Sequence, residues 1–594
     1  MSETEQSDIK GYECRHVTYC PGVDGQNDLH VAKVYVHHKD GRVVPTIHRI
    51  KNFVRDFYIT REGFRNHQDK KEFELISRLQ RYQSTQVKLA DSVSRALNGM
   101  PAGRRSMRDL SASPYLYGTD IASTALVKKY YETKWPECVS PDAKVAILDI
   151  ETDVISNIGE IIVVTLSFKN RIVTALNSSF ISRARKPELH IQALMKKHLG
   201  ELMAKRGINF ELAVFDSAHE CCLHVIKRAH EWKPDLIGVW NLDFDLPKIM
   251  SCLEMAGKDL AQVFSDPDVP DEFKFFKYTQ GKAQKVTQSG KVIPLHPADR
   301  WHTAECPASF YFIDAMCLYK RVRIAKGMEP SYALDDILKK HIGTGKLSIP
   351  EVDHLEKLAW HIAMQRDYPF DYVVYNVFDC IGVELLDEKT GDMARTFPIL
   401  CGNSDYRNFT SNPRRIVDDQ HFFYLEEDRV IGTTGPDMKE DLDDDVIGMQ
   451  EWIVTLRAHL IEDNGVAVIR ELPSIRSMIR LHNADLDIEG TYPTEEEVMN
   501  IAKDTTLREL SDIMVPGLPG KNTTHSQEEV NEKEDNWNNP EKEASTSPRE
   551  ALRRRIGINL SGGVVNAVEI ATTAMELPTP SKWVALMLEQ EKSQ

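Results

Sequence analysis

The sequence predicts an α/β protein of several domains. Its 594 residues exceed what one hydrophobic core usually organises. Stretches that alternate apolar and polar residues, as strands do, recur between stretches with helical period. Hydrophobic residues make up 41% and charged residues 28%, the balance of an ordinary globular chain.

Taken in order, residues 1–140 mix strand-like pieces, such as His30–His37, with a stretch near Lys70–Leu97 that reads as helical. AILDIETD (Ala146–Asp153) follows. Across Lys144–Glu151, Val145, Ile147, Asp149 and Glu151 alternate with Ala146, Leu148 and Ile150, so both acids share one face of a strand. A buried strand does not normally carry two acids on one face unless cations compensate them. Asp235–Trp240 reads as a further strand that turns at Asn241, within WNLDFD (Trp240–Asp245), with Pro247 in the first turn of the next element. YFIDAMCLYKRV (Tyr311–Val322) and Pro330–Leu347 read as a strand and then a helix started by Ser331 and stopped by Gly343. Asp371–Asp387 reads as a helix with Val374, Phe378, Ile381 and Leu385 apolar, which makes Tyr375 and Asp379 i,i+4 neighbours. Asp419–Thr434 alternates like a hairpin. Pro516–Glu550 has the polar composition of a disordered insertion, and Ile558–Ile570 resumes folded composition.

Asp149, Glu151, Asp245 and Asp379, with Tyr375 four residues before the last, form the set a two-metal phosphodiesterase needs. Two divalent ions about 3.5–4 Å apart require several oxygen ligands. Any one segment alone fits a solvated strand end or helix face. Three in this order point to phosphodiester hydrolysis.

The ordered motifs resemble the proofreading 3′→5′ exonuclease domain of family B DNA polymerases, particularly those of large tailed bacteriophages. The similarity extends to Tyr311–Val322, Pro330–Leu347 and, nearer the start, Tyr58–Glu72. It implies a family B amino-terminal domain over 1–140 and a ribonuclease H-like exonuclease core over 141–400. It also implies two Mg²⁺ or Mn²⁺ ions held by Asp149, Glu151, Asp245 and Asp379, a water oriented by Tyr375, and DNA contacts at Asn241 and Phe244. Asp245, rather than Asp243, fits the Phe-Asp position of the second motif.

ADLDIEGTYPTEEEVMNI (Ala484–Ile501) is similar to the first palm motif of the same family, an aspartate five residues before Tyr-Pro. The implied roles are metal ligation by Asp487 and a check on the nucleotide sugar by Tyr492. Gly490-Thr491 departs from the family's common Ser-Leu. On this resemblance 401–463 is a connector, 464–514 a partial palm, 515–550 an insertion and 551–594 a continuation of the palm region. Neither a fingers motif (Lys, then Asn-Ser-x-Tyr-Gly) nor Asp-Thr-Asp follows Asp487. The expected protein is therefore the exonuclease-bearing portion of a replicative polymerase. Its synthetic site, with Mg²⁺, would be completed by a second polypeptide carrying the fingers, the rest of the palm and the thumb. A stand-alone exonuclease and a DNA-binding structural protein with inactive sites are the alternatives.

The expected nucleic-acid partners are a single-stranded 3′ end and a primer–template, with a sliding clamp as a further partner. A net charge of −16 argues against a general polyanion-binding surface, so DNA contacts must come from local patches. The candidates are Lys282, Lys285 and Lys291 around a Gln288–Gly290 turn, which resembles in position a hairpin that moves primer ends in phage relatives, and Lys320, Arg321 and Arg323. Ten cysteines without a Cys-x-x-Cys pair argue against structural zinc, and Cys221 and Cys222 read as core thiols. No apolar run is long enough to span a membrane, so a cytoplasmic protein is expected, in the infected host cell if phage-encoded.

Overall fold

Alternating apolar residues build the sheets, and most strands pair with partners far away in sequence. The computed structural model describes residues 8–434, apart from 69, 141, 157–158, 182–185, 287–290, 324–326, 356–357 and 399–411, together with 460–463 and 466–469. The chain divides into two compact units, Met1–Pro436 and Asp437–Gln594. In the second unit, Leu460–Asp463 pairs antiparallel with Val466–Ile469. The fold is mixed α/β.

The first unit opens with an antiparallel meander of β1 (Ile9–Pro21), β2 (Asp28–His38) and β3 (Val43–Lys51). β4 (Val54–Thr60), β5 (Phe73–Leu75), β6 (Leu79–Thr85) and β7 (Leu116–Tyr117) follow, with β4 lying between β6 and β7. The helical reading of Lys70–Leu97 therefore fails except over the helix Leu89–Asn98. Pairing with β4 sets Tyr82 opposite Phe57, their rings 5.4 Å apart and nearly parallel, and this cross-strand contact overrides the local pattern.

A six-stranded sheet forms the centre of this unit. β8 (Val145–Thr152), β9 (Ile161–Phe168), β10 (Arg171–Asn177), β11 (Asn209–Phe215) and β12 (Leu236–Val239) are joined, after the short strands β13 (Lys277–Thr279), β14 (Gln284–Val286), β15 (Val292–Pro294) and β16 (Thr303–Glu305), by β17 (Tyr311–Asp314). The order is β11-β10-β9-β8-β12-β17. β9 runs antiparallel to both neighbours, and the remaining pairs are parallel. On one face Ala146, Leu148 and Ile150 of β8 pack into a core with the helices Ala218–Trp232 and Leu242–Met255. On the other, Ile147 packs with Cys380, Val383 and Leu386 of the helix Pro369–Thr390. Proline in the first turn and Gly391 in the left-handed conformation (φ 70°) bound that helix.

The amino-terminal meander is tied to the root of β12. The fully buried Lys33 ammonium donates to the carbonyls of Lys233 (2.6 Å), Pro234 (3.1 Å) and Ser309 (3.1 Å), and Tyr35 donates its hydroxyl to Asp235. These bonds satisfy a desolvated cation and fix the strand whose far end leads into Asn241.

Three local expectations are corrected. Pro247 is the sixth residue of its helix, not a first-turn residue, because Phe244 and Asp245 already donate their N–H groups to the Asn241 carbonyl (3.0 and 3.2 Å). The later helix is Leu334–Ile342. Gly343 ends it as expected, but Ser331 lies two residues before the capping position and accepts from the Ala333 N–H instead. Asp419–Thr434 is not a hairpin. It is the end of the helix Asn412–Glu426 followed by β18 (Arg429–Ile431), whose partner is β5. Buried Asp418, His421 and Phe422 follow helical spacing, and Asp428 in the left-handed conformation makes the turn.

Candidate active site

In the β8–β9 ladder Asp149 sits opposite Thr165 and Glu151 opposite Val163, so the pleat presents both acids to the same side. A one-residue slip would turn both into the opposite core. β12 ends at Val239, and the chain passes through Trp240 and Asn241 into the helix that carries Asp245 near its amino end, where a carboxylate is favoured. Tyr375 and Asp379 stand on successive turns of Pro369–Thr390. Asp149, Glu151, Asp245, Asp379, Tyr375, Asn241 and Phe244 all line one cleft of about 620 Å³. Asp487 and Tyr492 lie outside the described residues.

One oxygen from each of Asp149, Glu151 and Asp379 lies within 4.8 Å of the others. Asp245 is outside this tightest group but acts on it through its charge. Burial pushes the Asp149 carboxyl well above its ordinary value, and the charges of Asp245, Asp379 and Glu151 push it further. Burial also raises Glu151 to about 7, against a hydrogen bond from Tyr372 that lowers it. Asp245 is raised by burial and then by Glu151. Burial raises Asp379, while Lys346 pulls it back.

Lys346 is the cleft's own cation. Its ammonium donates to Asp379 Oδ2 (2.5 Å) and to the Tyr375 hydroxyl oxygen (2.6 Å). Burial opposes its charge most strongly, but the charge and hydrogen bond of Asp379, with the charges of Asp149 and Glu151, together raise its pKa. Among the described residues, four carboxylates line the cleft against this single ammonium. Asp379 Oδ1 is buried without a hydrogen-bond partner. Clustered acids held this far above their ordinary pKa, with an orphaned carboxylate oxygen among them, fit hard divalent cations bound through oxygen.

Sequence reading missed Lys346, Tyr372, Asn376 and His361. Asn376 lies inside the YNVFD segment, and its amide donates to Asp149 Oδ2 (2.7 Å). Tyr372, one turn before Tyr375, donates its hydroxyl to Glu151 Oε2 and lies 2.8 Å from His361 Nδ1. Helical spacing could have flagged both Tyr372 and Asn376. Lys346 arrives from a loop. A side chain on Gly345 would collide with Asp335, so glycine lets the chain pass close to the carboxylate that accepts from the Lys346 N–H (2.8 Å).

The expected basic patch at Lys320, Arg321 and Arg323 loses two of its three cations to ion pairs within the fold. Lys320 is buried and paired with Asp299 (2.6 Å), while Arg323 makes a bidentate pair with Asp392 (2.7 and 3.1 Å). These cations are spent inside the fold because the acids at Asp299 and Asp392 approach only in three dimensions. β14 and β15 do form a hairpin, with Lys282, Lys285 and Lys291 exposed and its tip, 287–290, outside the described residues. Cys221 and Cys222 are fully buried. Among the described residues no helix is long and apolar enough to cross a membrane.

No known protein family matches this sequence, and no curated protein matches it.

Proposed function

We propose that the first unit hydrolyses DNA from its 3′ end, as the exonuclease-bearing portion of a replicative DNA polymerase. The observation that carries this reading is the approach of Asp149, Glu151 and Asp379 to within 4.8 Å of one another in an open cleft. The strand order supports it. A five-strand run β10-β9-β8-β12-β17 with β9 alone antiparallel is the arrangement expected of a ribonuclease H-like core, with acids at the central strand.

Mg²⁺ or Mn²⁺ held by Asp149, Glu151, Asp245 and Asp379 would supply an activated water and charge for the departing oxygen. The chain's own groups do the rest. Burial, then the charge of Asp379, keeps the Tyr375 phenol protonated, so it can hold a water by hydrogen bonding. Lys346 donates a hydrogen bond to the phenol oxygen and holds it in place. Phe244 is 44% exposed at the cleft and offers a face on which an unpaired base can stack whatever its identity. Asn241 adds an amide beside it.

Tyr375→Phe tests the assignment. It keeps the ring, which stacks on Tyr372 with centroids 5.8 Å apart, and removes only the hydroxyl. Cleavage of single-stranded DNA at saturating Mn²⁺ should slow by about 10²–10⁴-fold, the usual worth of an orienting or acid–base group. An unchanged rate would remove Tyr375 from the reaction.

The polymerase part of the proposal rests on Asp487 and Tyr492. With carboxylates needed from separate palm strands, the chain alone should not extend a primer. Mixed with a polypeptide bearing the fingers and Asp-Thr-Asp segments it should, and Asp487→Ala should abolish extension while sparing 3′ cleavage. Extension by the mixture that survives Asp487→Ala would place synthesis wholly in the other polypeptide.

A further inference from the structure

The cleft carboxylates share a pattern that the hydrolytic reading alone does not require. Asp149, Glu151 and Asp379 each take a hydrogen bond from a different protein donor on one oxygen. Asn376 Nδ2 binds Asp149 Oδ2 at 2.7 Å, the Tyr372 hydroxyl binds Glu151 Oε2, and Lys346 Nζ binds Asp379 Oδ2 at 2.5 Å. For Asp379 the other oxygen, Oδ1, is buried and without a hydrogen-bond partner. Tyr372, Tyr375, Asn376 and Asp379 lie at i, i+3, i+4 and i+7 of one helix, so a single polar stripe faces the two acids of β8.

We propose that Tyr372 and Asn376 are positioning residues that each occupy one oxygen of a β8 carboxylate, fix its rotamer, and so select the oxygen that receives the divalent cation. This rests on the hydrolytic reading of the cleft. Neither residue reaches the reacting atoms; each acts through Glu151 or Asp149.

The donors are themselves held. The single Tyr372 hydroxyl proton points at Glu151 Oε2. His361 Nδ1, 2.8 Å from the same hydroxyl oxygen, must then donate to it, which fixes the His361 tautomer. The Tyr372 ring is clamped by Tyr375 in parallel stacking (3°) and by Trp360 with ring centroids 6.2 Å apart. Asn376 is fully buried, and its amide oxygen has no partner. Burying a primary amide with its oxygen unpaired is costly, so packing alone does not account for Asn376 at this position. Outer groups that orient metal-binding carboxylates typically contribute 10–100-fold in metal affinity.

The test is calorimetric titration of Mn²⁺ into the full chain and into Tyr372→Phe and Asn376→Ala, with melting temperatures in chelator and DNA cleavage recorded alongside. Each substitution should weaken Mn²⁺ binding by about 10–100-fold. Cleavage should recover most of its rate when Mn²⁺ is raised to saturation. Two variants on different acids keep the test open if one of them fails to fold. A lowered melting temperature with unchanged Mn²⁺ affinity in both would make these residues packing groups and overturn the proposal. If the parent binds Mn²⁺ and the variants bind it weakly, yet DNA stays intact, the hydrolytic reading fails while the positioning role stands. If the parent cleaves DNA and both variants bind Mn²⁺ as tightly as it does, the positioning role alone fails. A parent that binds no Mn²⁺ overturns both.

Discussion

The double substitution Asp149→Ala with Glu151→Ala should abolish 3′-end cleavage and at the same time stabilise the metal-free chain. Loss of two ligands removes several kcal/mol of charge stabilisation from the reaction, on the order of 10³-fold or more in rate. The gain in stability follows from the direction of the pKa shifts. A carboxyl whose folded pKa lies above its unfolded value contributes its full stability only below the unfolded value, about 4. That contribution is lost as pH rises through the folded pKa, which for Glu151 is about 7. At pH 8 without metal both acids are therefore a burden, and removing them should raise the melting temperature. The difference between variant and parent should shrink as pH falls below 7. A double variant that melts well below the parent at pH 8 would mean these acids hold the fold rather than a ligand.

Lys346→Met should move the pH dependence of cleavage. The ammonium lowers the pKa of Asp149, Glu151 and Asp379, and it bonds Asp379 directly. Without it those carboxyls hold their protons to higher pH, and a protonated carboxyl is a poor cation ligand. The acid limb of the cleavage profile in Mn²⁺ should shift upward by about 1–3 pH units, the usual effect of one close opposite charge. The alkaline side should change less, because protons compete less with the cation for the carboxylates as pH rises. An acid limb in the same place as the parent's, at the parent's rate, would show that Lys346 does not govern the charge state of the cleft.

Much of the site was legible in sequence because it follows short-range periodicity. Period two fixes Asp149 and Glu151 on one face of β8, and the i,i+4 relation fixes Tyr375 beside Asp379. The elements that sequence misread are those whose partners lie far away. β6 is a strand because β4 pairs with it, and β18 pairs with β5 from more than three hundred residues downstream. Lys346 was invisible for the same reason. Its role depends on a glycine-permitted close pass by Asp335, and no spacing in Gly343–Leu347 announces that contact. Lys320 and Arg323 show the converse. A run of basic residues reads as a nucleic-acid patch until the fold brings Asp299 and Asp392 against it.

The central claim, hydrolysis of DNA from a 3′ end, is tested most directly by giving the full chain one single-stranded DNA in two forms, linear with a 5′ label and covalently closed into a circle. In Mn²⁺ the linear strand should shorten one nucleotide at a time from its 3′ end, giving a labelled ladder, and the circle should stay intact. Chelator should stop the reaction. Cleavage of the circle, shortening that begins at the 5′ end, or a linear strand left whole in Mn²⁺ would each contradict the account.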